Sequence, residues 1–221
     1  MDSAHVSLVS LKLNDSGFEE YRCDKNITLG LNLIDFSKIL KMAKADDIMI
    51  LKAEEDAPFL SIGYENKKTL KTAEFQLNLL QLDAQALGIP DQTYPTYIKM
   101  SSSEFVNLCR DFTQMADSVK IEVEGDSATF SINGKSGPGK ITMKNNNAEK
   151  EEDQISIVCN QSVACSYGLQ YLNSFAKASS LSSVVTLNIS PKFPLMIEYN
   201  IEDIGFIKFY LAPKMDEEPS E

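Results

Sequence analysis

The stretch DFSKILKMAKADDIMILKAEEDAPFLSIGYE, residues 35–65, is echoed in order by GLQYLNSFAKASSLSSVVTLNISPKFPLMIEY, residues 168–199. Each copy has a helically spaced segment closing on Ala-Lys-Ala (Ala43–Ala45, Ala176–Ala178) and then an apolar strand. A proline follows (Pro58, Pro194), and then a strand ending in tyrosine (Tyr64, Tyr199). Two copies of one unit predict a pseudo-symmetric, two-domain chain. Between them, LLQLDAQALGIPDQTYPTY (Leu79–Tyr97) carries Gly88, Pro90 and Pro95 and reads as a connector. The expected organisation is a first domain over residues 1–79, a connector over 80–96, a second domain over 97–214 and an acidic tail over 215–221. From Tyr97 to Lys177 is 80 positions, but from Met1 to the matching Lys44 only 43, so the first copy is shorter by about 37 residues. What it lacks corresponds to a helix over Glu104–Asp117 and its flanking strands.

Most of the chain alternates as short strands do. The candidates are His5–Leu13, Ile48–Leu51, Phe59–Tyr64, Phe75–Leu82, Tyr97–Met100, Val119–Val123, Ala128–Ile132, Lys140–Lys144, Gln154–Val158, Val184–Ile189, Leu195–Tyr199 and Ile207–Leu211. Three segments have apolar residues three and four apart instead, predicting helices. Asp35–Lys44 turns Phe36, Ile39, Leu40 and Ala43 inward. Glu104–Asp117 does so with Phe105, Leu108, Cys109, Phe112 and Met115, behind a capping box at Ser101-x-x-Glu104. Leu169–Ala178 does so with Leu169, Leu172, Phe175 and Ala176. Many strands with a few short helices make an α+β fold.

Composition narrows the chemistry. One histidine, His5, excludes any multi-histidine metal site and leaves little for an acid–base relay. Cys23, Cys109, Cys159 and Cys165 show no C-x-x-C spacing and read as buried, reduced thiols. No phosphate-binding loop, dinucleotide fingerprint or nucleophile elbow occurs, and the Asp46-Asp47 pair sits in what reads as a solvated turn. The expectation is a non-enzymatic, intracellular protein without cofactor or metal. Neither a membrane span nor a secretory leader is expected.

The charge is −11, from 21 basic and 32 acidic residues, but it is unevenly placed. Acidic runs fall in expected loops and the tail: Ala53–Ala57, Glu149–Asp153 and Asp216–Glu221. Basic residues fall on helix faces. Lys38, Lys41 and Lys44 are spaced to share one side of the first helix, and Arg110 and Lys177 lie on the polar faces of the others. Arg22–Lys41 holds four basic residues and two acidic ones. Such a surface fits sequence-independent phosphate contact, and equally a solvated helix face. A second feature is apolar. Leu87, Ile89 and Tyr94 in the connector and Tyr210-Leu211-Ala212-Pro213-Lys214 near the end suit either packing onto the domain surface or a shallow groove for a partner's apolar plug.

The segments MDSAHVSLV, YRCDKNITLGLNLIDFSKILK, QLDAQALGIPDQTY, EFVNLCRD, LQYLNSFAKASSLSS and YLAPK, in this order from Met1 to the tail, closely resemble eukaryotic sliding clamps, the proliferating cell nuclear antigen family. The resemblance implies a clamp fold with outer antiparallel sheets and inner helices, the first copy lacking its opening strands and helix. It implies a nuclear homotrimer encircling double-stranded DNA, a processivity factor for DNA polymerase and a docking platform in replication and repair. Arg22, Lys25, Lys38, Lys41, Lys71, Arg110 and Lys177 correspond to DNA-binding positions. The Phe75–Leu82 and Lys140–Lys144 strands correspond to subunit-interface edges. Polymerase, clamp loader, flap nuclease and ligase would dock through a Q-x-x-aliphatic-x-x-aromatic-aromatic peptide. Its groove corresponds to Met1, His5, Val6, Leu8, Leu87, Ile89, Tyr94, Pro194, Tyr210, Ala212, Pro213 and Lys214.

Three departures from the family pattern stand out. The opening strands and first channel helix are missing, which should expose the apolar faces of Leu31 and Leu33. Asn107 and Gln170 stand where the family usually has arginine. Gly125 occupies the position of the lysine that takes ubiquitin or a related modifier. Two other readings share the same fold: a subunit of a heterotrimeric checkpoint clamp, and a shortened clamp variant unable to form a ring. A small hydrolase or transferase is disfavoured by the lone histidine and the missing phosphate loops.

Overall fold

The computed structural model describes residues 4–54, 57–81, 92–146, 148–150 and 153–214. The chain divides into two compact units, residues 1–21 with 91–221, and residues 22–90.

The larger unit begins with β1 (Ser7–Leu13) and continues with β5 (Thr96–Ser101), α2 (Ser102–Thr113), β6 (Ser118–Glu124), β7 (Ser127–Gly134) and β8 (Gly137–Lys144). After these come β9 (Ser156–Cys159), β10 (Val163–Gly168), α3 (Leu169–Phe175), a 3-10 helix over Ala176–Leu181, β11 (Val184–Ile189), β12 (Leu195–Ile201) and β13 (Gly205–Leu211). Two antiparallel sheets result, β1-β13-β12-β11-β5-β9 and β10-β6-β7-β8. Alternation accounts for them: along β11 and β12 every second side chain, Val185, Leu187, Ile189, Leu195, Ile197 and Tyr199, is fully buried. Against these faces α2 presents Phe105, Leu108, Cys109 and Phe112, and α3 presents Leu169, Leu172 and Phe175. Ser101 caps α2, the Glu104 N–H donating to Ser101 Oγ at 3.1 Å, a contact worth about 1 kcal/mol. No side chain caps α3; the Leu169 N–H donates instead to the Asp117 carbonyl at 3.0 Å.

β1, which opens the expected first domain, lies in the sheet of this larger unit. It pairs antiparallel with β13 from Ser7↔Leu211 to Leu13↔Gly205. Gly205 sets the end of that ladder: its φ is +154°, and a Cβ there would collide with the Lys12 carbonyl.

The smaller unit contains α1 (Leu33–Leu40), β2 (Ile48–Lys52), β3 (Phe59–Asn66) and β4 (Lys71–Asn78) in one antiparallel sheet, β2-β3-β4. Asn32 caps α1, its Oδ1 accepting from the Ile34 and Asp35 N–H groups at 3.0 and 3.3 Å. Leu60, Ile62, Tyr64 and Leu77 form the core, with Leu29, Leu31, Phe36, Ile39, Ala43 and Phe75 packed around it. The order helix-strand-strand-strand thus occurs twice, as α1-β2-β3-β4 and as α3-β11-β12-β13, which bears out the repeat read from sequence.

Several expectations need correction. The first helix ends at Leu40, so Lys44 lies in the following turn and not on the helix face. The second ends at Thr113, leaving Met115 in a turn and 42% exposed. The strand expected over Phe75–Leu82 runs from Lys71 to Asn78, because its polar start pairs fully with β3. Strand β10 was not anticipated. Cys23 is exposed, not buried; Cys109 is buried, and Cys159 and Cys165 are half-buried. Leu33 is 72% exposed as expected, whereas Leu31 packs against the core. No helix among the described residues is long and apolar enough to cross a membrane.

Candidate nucleic-acid and partner-peptide surfaces

In the larger unit one end of the β1–β13 pairing, where Ser7 faces Leu211, gathers most of the expected groove residues. The ladder places Leu8 opposite Tyr210 and Ser7 opposite Leu211, and one step further the Ala212 N–H donates to the Val6 carbonyl at 2.9 Å. The Lys214 N–H then donates to the Ser166 carbonyl at 2.8 Å, so the Ala212–Lys214 segment is tied to β1 on one side and to β10 on the other. Pro213 and Lys214 are exposed on this strap. Tyr94 hydroxyl donates to the Pro194 carbonyl at 2.9 Å, and its ring lies edge-on to Phe193 at 6.3 Å. Burial, and secondarily the neighbouring Tyr210 hydroxyl, push the Tyr94 phenol up to about 12. It is therefore a neutral donor throughout the physiological range. His5 stands at the entrance to β1 with φ +58°, a left-handed conformation uncommon outside glycine. His5, Val6, Leu8, Tyr94, Pro194, Tyr210, Ala212, Pro213 and Lys214 thus share one sheet and its margins. Met1, Leu87 and Ile89 lie outside the described residues.

The basic positions divide between the units, and all are exposed. In the larger unit Arg110 lies on α2 with its Nε 3.1 Å from Asp111 Oδ1, and Lys177 lies on the 3-10 helix after α3. Asn107 is exposed on α2 and Gln170 on α3. The polar face of α2 carries Glu104 and Asp111 beside Arg110, so these helices offer little net positive charge.

In the smaller unit Arg22 makes a two-pronged pair with Asp24, the closest approach being 2.7 Å, which raises the guanidinium's already high pKa. Lys25 follows in the same exposed loop. Lys38 pairs with Asp35 at 2.8 Å across one turn of α1, and Lys41 is the helix C-cap. Lys71 opens β4. Exposed pairs such as Lys38–Asp35 contribute little to stability, about 0.3–0.5 kcal/mol, and leave the lysine able to exchange partners.

Positive charge missed in the sequence lies around the turns of this unit. The β3–β4 hairpin carries Lys67 and Lys68 at its tip. The Asp46-Asp47 pair lies in an exposed turn as expected and is in addition engaged by that hairpin. Asp47 Oδ1 accepts from Asn66 Nδ2 at 2.7 Å, Asp47 Oδ2 accepts from the Lys44 N–H at 2.9 Å, and Asp46 pairs with Lys68 at 3.0 Å. These hydrogen bonds, aided by the charges of Lys44 and Lys71, hold the Asp47 carboxyl below the usual aspartate range. The sequence signal was KKTLK inside a strand-pairing turn. Its meaning depended on a contact 19 residues distant.

Of the thiols, only Cys109 is fully buried. Burial pushes the Cys109 thiol up to about 12, which suppresses its thiolate. No cluster of three or more metal-ligating side chains occurs among the described residues.

Comparison with protein families agrees with this architecture. Residues 1–86 match the N-terminal domain of proliferating cell nuclear antigen, and residues 88–214 match its C-terminal domain. With both halves matched in order over nearly its whole length, the chain belongs to the proliferating cell nuclear antigen family of sliding clamps.

Proposed function

We propose that the chain is a non-catalytic subunit of a nuclear homotrimeric ring that encircles duplex DNA, serving as a polymerase processivity factor and docking platform in replication and repair. The observation that carries this reading, beside family membership, is a pair of unlike open edges. β4 ends the sheet of the smaller unit and β8 ends the four-stranded sheet of the larger one. Residues 75–78 and 140–144 of the expected interface strands lie on these two edges. Pairing β4 of one copy with β8 of the next is a head-to-tail contact, which closes into a ring when the rotation allows. Edges left open would instead invite uncontrolled pairing.

Sedimentation equilibrium tests the assembly. The expected species has three times the mass of the 24.6 kDa chain. A strict monomer at micromolar concentration would remove the ring from the account while leaving the family assignment intact. Co-purification with two different clamp-like chains would instead favour a heterotrimeric clamp.

The second half of the proposal is the docking groove. A partner's Q-x-x-aliphatic-x-x-aromatic-aromatic peptide would set its aromatic pair against Tyr94, Pro194 and Tyr210 and pair its backbone near Ala212. Replacing Tyr94 and Tyr210 together by alanine should weaken such a fluorescent peptide at least tenfold, since buried aromatic anchors are worth about 2 kcal/mol or more. Unchanged affinity in a folded double variant would place the groove elsewhere.

A further inference from the structure

Several lysines of the smaller unit lie beyond its helix, on two turns fastened to each other. One is the α1–β2 turn, residues 41–47, and the other is the β3–β4 hairpin tip, Lys67–Leu70. The fastening holds the acidic groups in place while leaving them charged: Asp47 is bound by Asn66 and the Lys44 backbone, and Asp46 by Lys68. Asn66 Oδ1 in turn accepts from the Lys68 and Thr69 N–H groups at 3.1 and 2.9 Å, which fixes the hairpin tip. The ammonium groups of Lys44, Lys67 and Lys71 form no ion pair among the described residues. Leu70 sits at the tip with φ +52° and 86% exposed, so no local packing hides the charge around it.

We infer that Lys44, Lys67, Lys68 and Lys71 form a rigid phosphate-binding patch that contacts the backbone of duplex DNA in addition to the helix-borne lysines. The inference rests on the duplex-binding reading above, which already names Lys71, and extends it to Lys44, Lys67 and Lys68 on the two turns. Its physical logic is charge placement. The helices of the larger unit carry almost no net positive charge, and the whole chain is at −11. A sequence-independent duplex contact must therefore draw on whatever exposed lysines are held together, either unpaired, as Lys44, Lys67 and Lys71 are among the described residues, or in an exposed pair that can exchange partners, as Lys68 is. Lysine suits this task as a point charge on a flexible stem, and the aspartates serve as the frame that keeps the stems at one place.

The test is the salt dependence of binding to a blunt 30-base-pair duplex, using the full chain and two double variants. Lys67→Gln with Lys68→Gln should lower the slope of log affinity against log salt by about 2, one unit for each lost phosphate contact. Lys38→Gln with Lys41→Gln serves as the comparison. A lowered slope for both variants supports the patch. An unchanged slope for the Lys67/Lys68 variant beside a lowered slope for Lys38/Lys41 overturns the patch and leaves the duplex reading standing. Absence of any duplex affinity in the parent overturns both. Vesicles containing anionic phosphatidylserine form a second arm. Tighter binding to these than to duplex, lost with Lys67 and Lys68, would overturn the DNA assignment. Lys67→Gln alone guards against misfolding, because no ion pair depends on that side chain, and it should lower the slope by about 1.

Discussion

The two copies of the repeat share an element order yet bury their helices very differently. In the larger unit α3 lies against α2, and Leu169, Leu172 and Phe175 are all at least 95% buried. In the smaller unit α1 rests on the β2-β3-β4 sheet, none of its residues is fully buried, and Leu33 and Ile34 are 72% and 70% exposed. The sheet strands differ less: Ile62 and Tyr64 of β3 are buried nearly as well as Ile197 and Tyr199 of β12. The lesson is that alternation builds each sheet locally, whereas the helix acquires its second apolar contact only from a neighbouring helix. Stability should therefore be concentrated in the larger unit, with the smaller one opening more readily.

The largest expected effect comes from truncating equivalent helix positions. Leu172→Ala removes a side chain with 1% exposure and should cost the larger unit about 2–5 kcal/mol. Ile39→Ala, on the half-buried face of α1, should cost the smaller unit only about 1–2 kcal/mol. Hydrogen exchange in β11–β12 and in β3–β4 reads the two losses separately. Equal losses would break the contrast.

A smaller effect sharpens it. Because the folded state holds the Asp47 carboxyl below its ordinary value, its stabilising contribution is present at neutral pH and is lost as pH falls through the lowered folded value. The amide signal of Lys44, which donates to that carboxylate, should shift only in strong acid, below the usual aspartate range. An inflection at the ordinary aspartate value would show that the two turns are not fastened as described.

Much of this was legible in the chain because its signals are local. The repeat, the inward faces of α2 and α3 and the Ser101 cap follow from three-and-four spacing and from a serine three residues ahead of Glu104. The β3 and β11 alternations follow from period two. Other features depend on partners distant in sequence. β4 begins at Lys71 because backbone pairing to β3 overrides a polar start, and β10 is a strand because Val163–Gly168 finds the edge of β6 despite small and polar residues. That β1 joins the sheet containing β13 spans almost the whole chain and leaves no local trace. Of the functional surfaces, the Ala212–Lys214 strap and Tyr94 were named from sequence. Lys67 and Lys68 were not, since their relation to Asp46 and Asn66 exists only after folding.

Topological trapping tests the ring most directly. The chain is allowed to thread onto a linear duplex with one end blocked by a bulky protein. The free end is then capped in the same way, and the complex is washed in 1 M salt. A closed ring stays on the doubly capped duplex, although its phosphate contacts are screened, and leaves when a restriction enzyme cuts the DNA. Loss in the salt wash irrespective of the caps would contradict encirclement and reduce DNA binding to surface electrostatics.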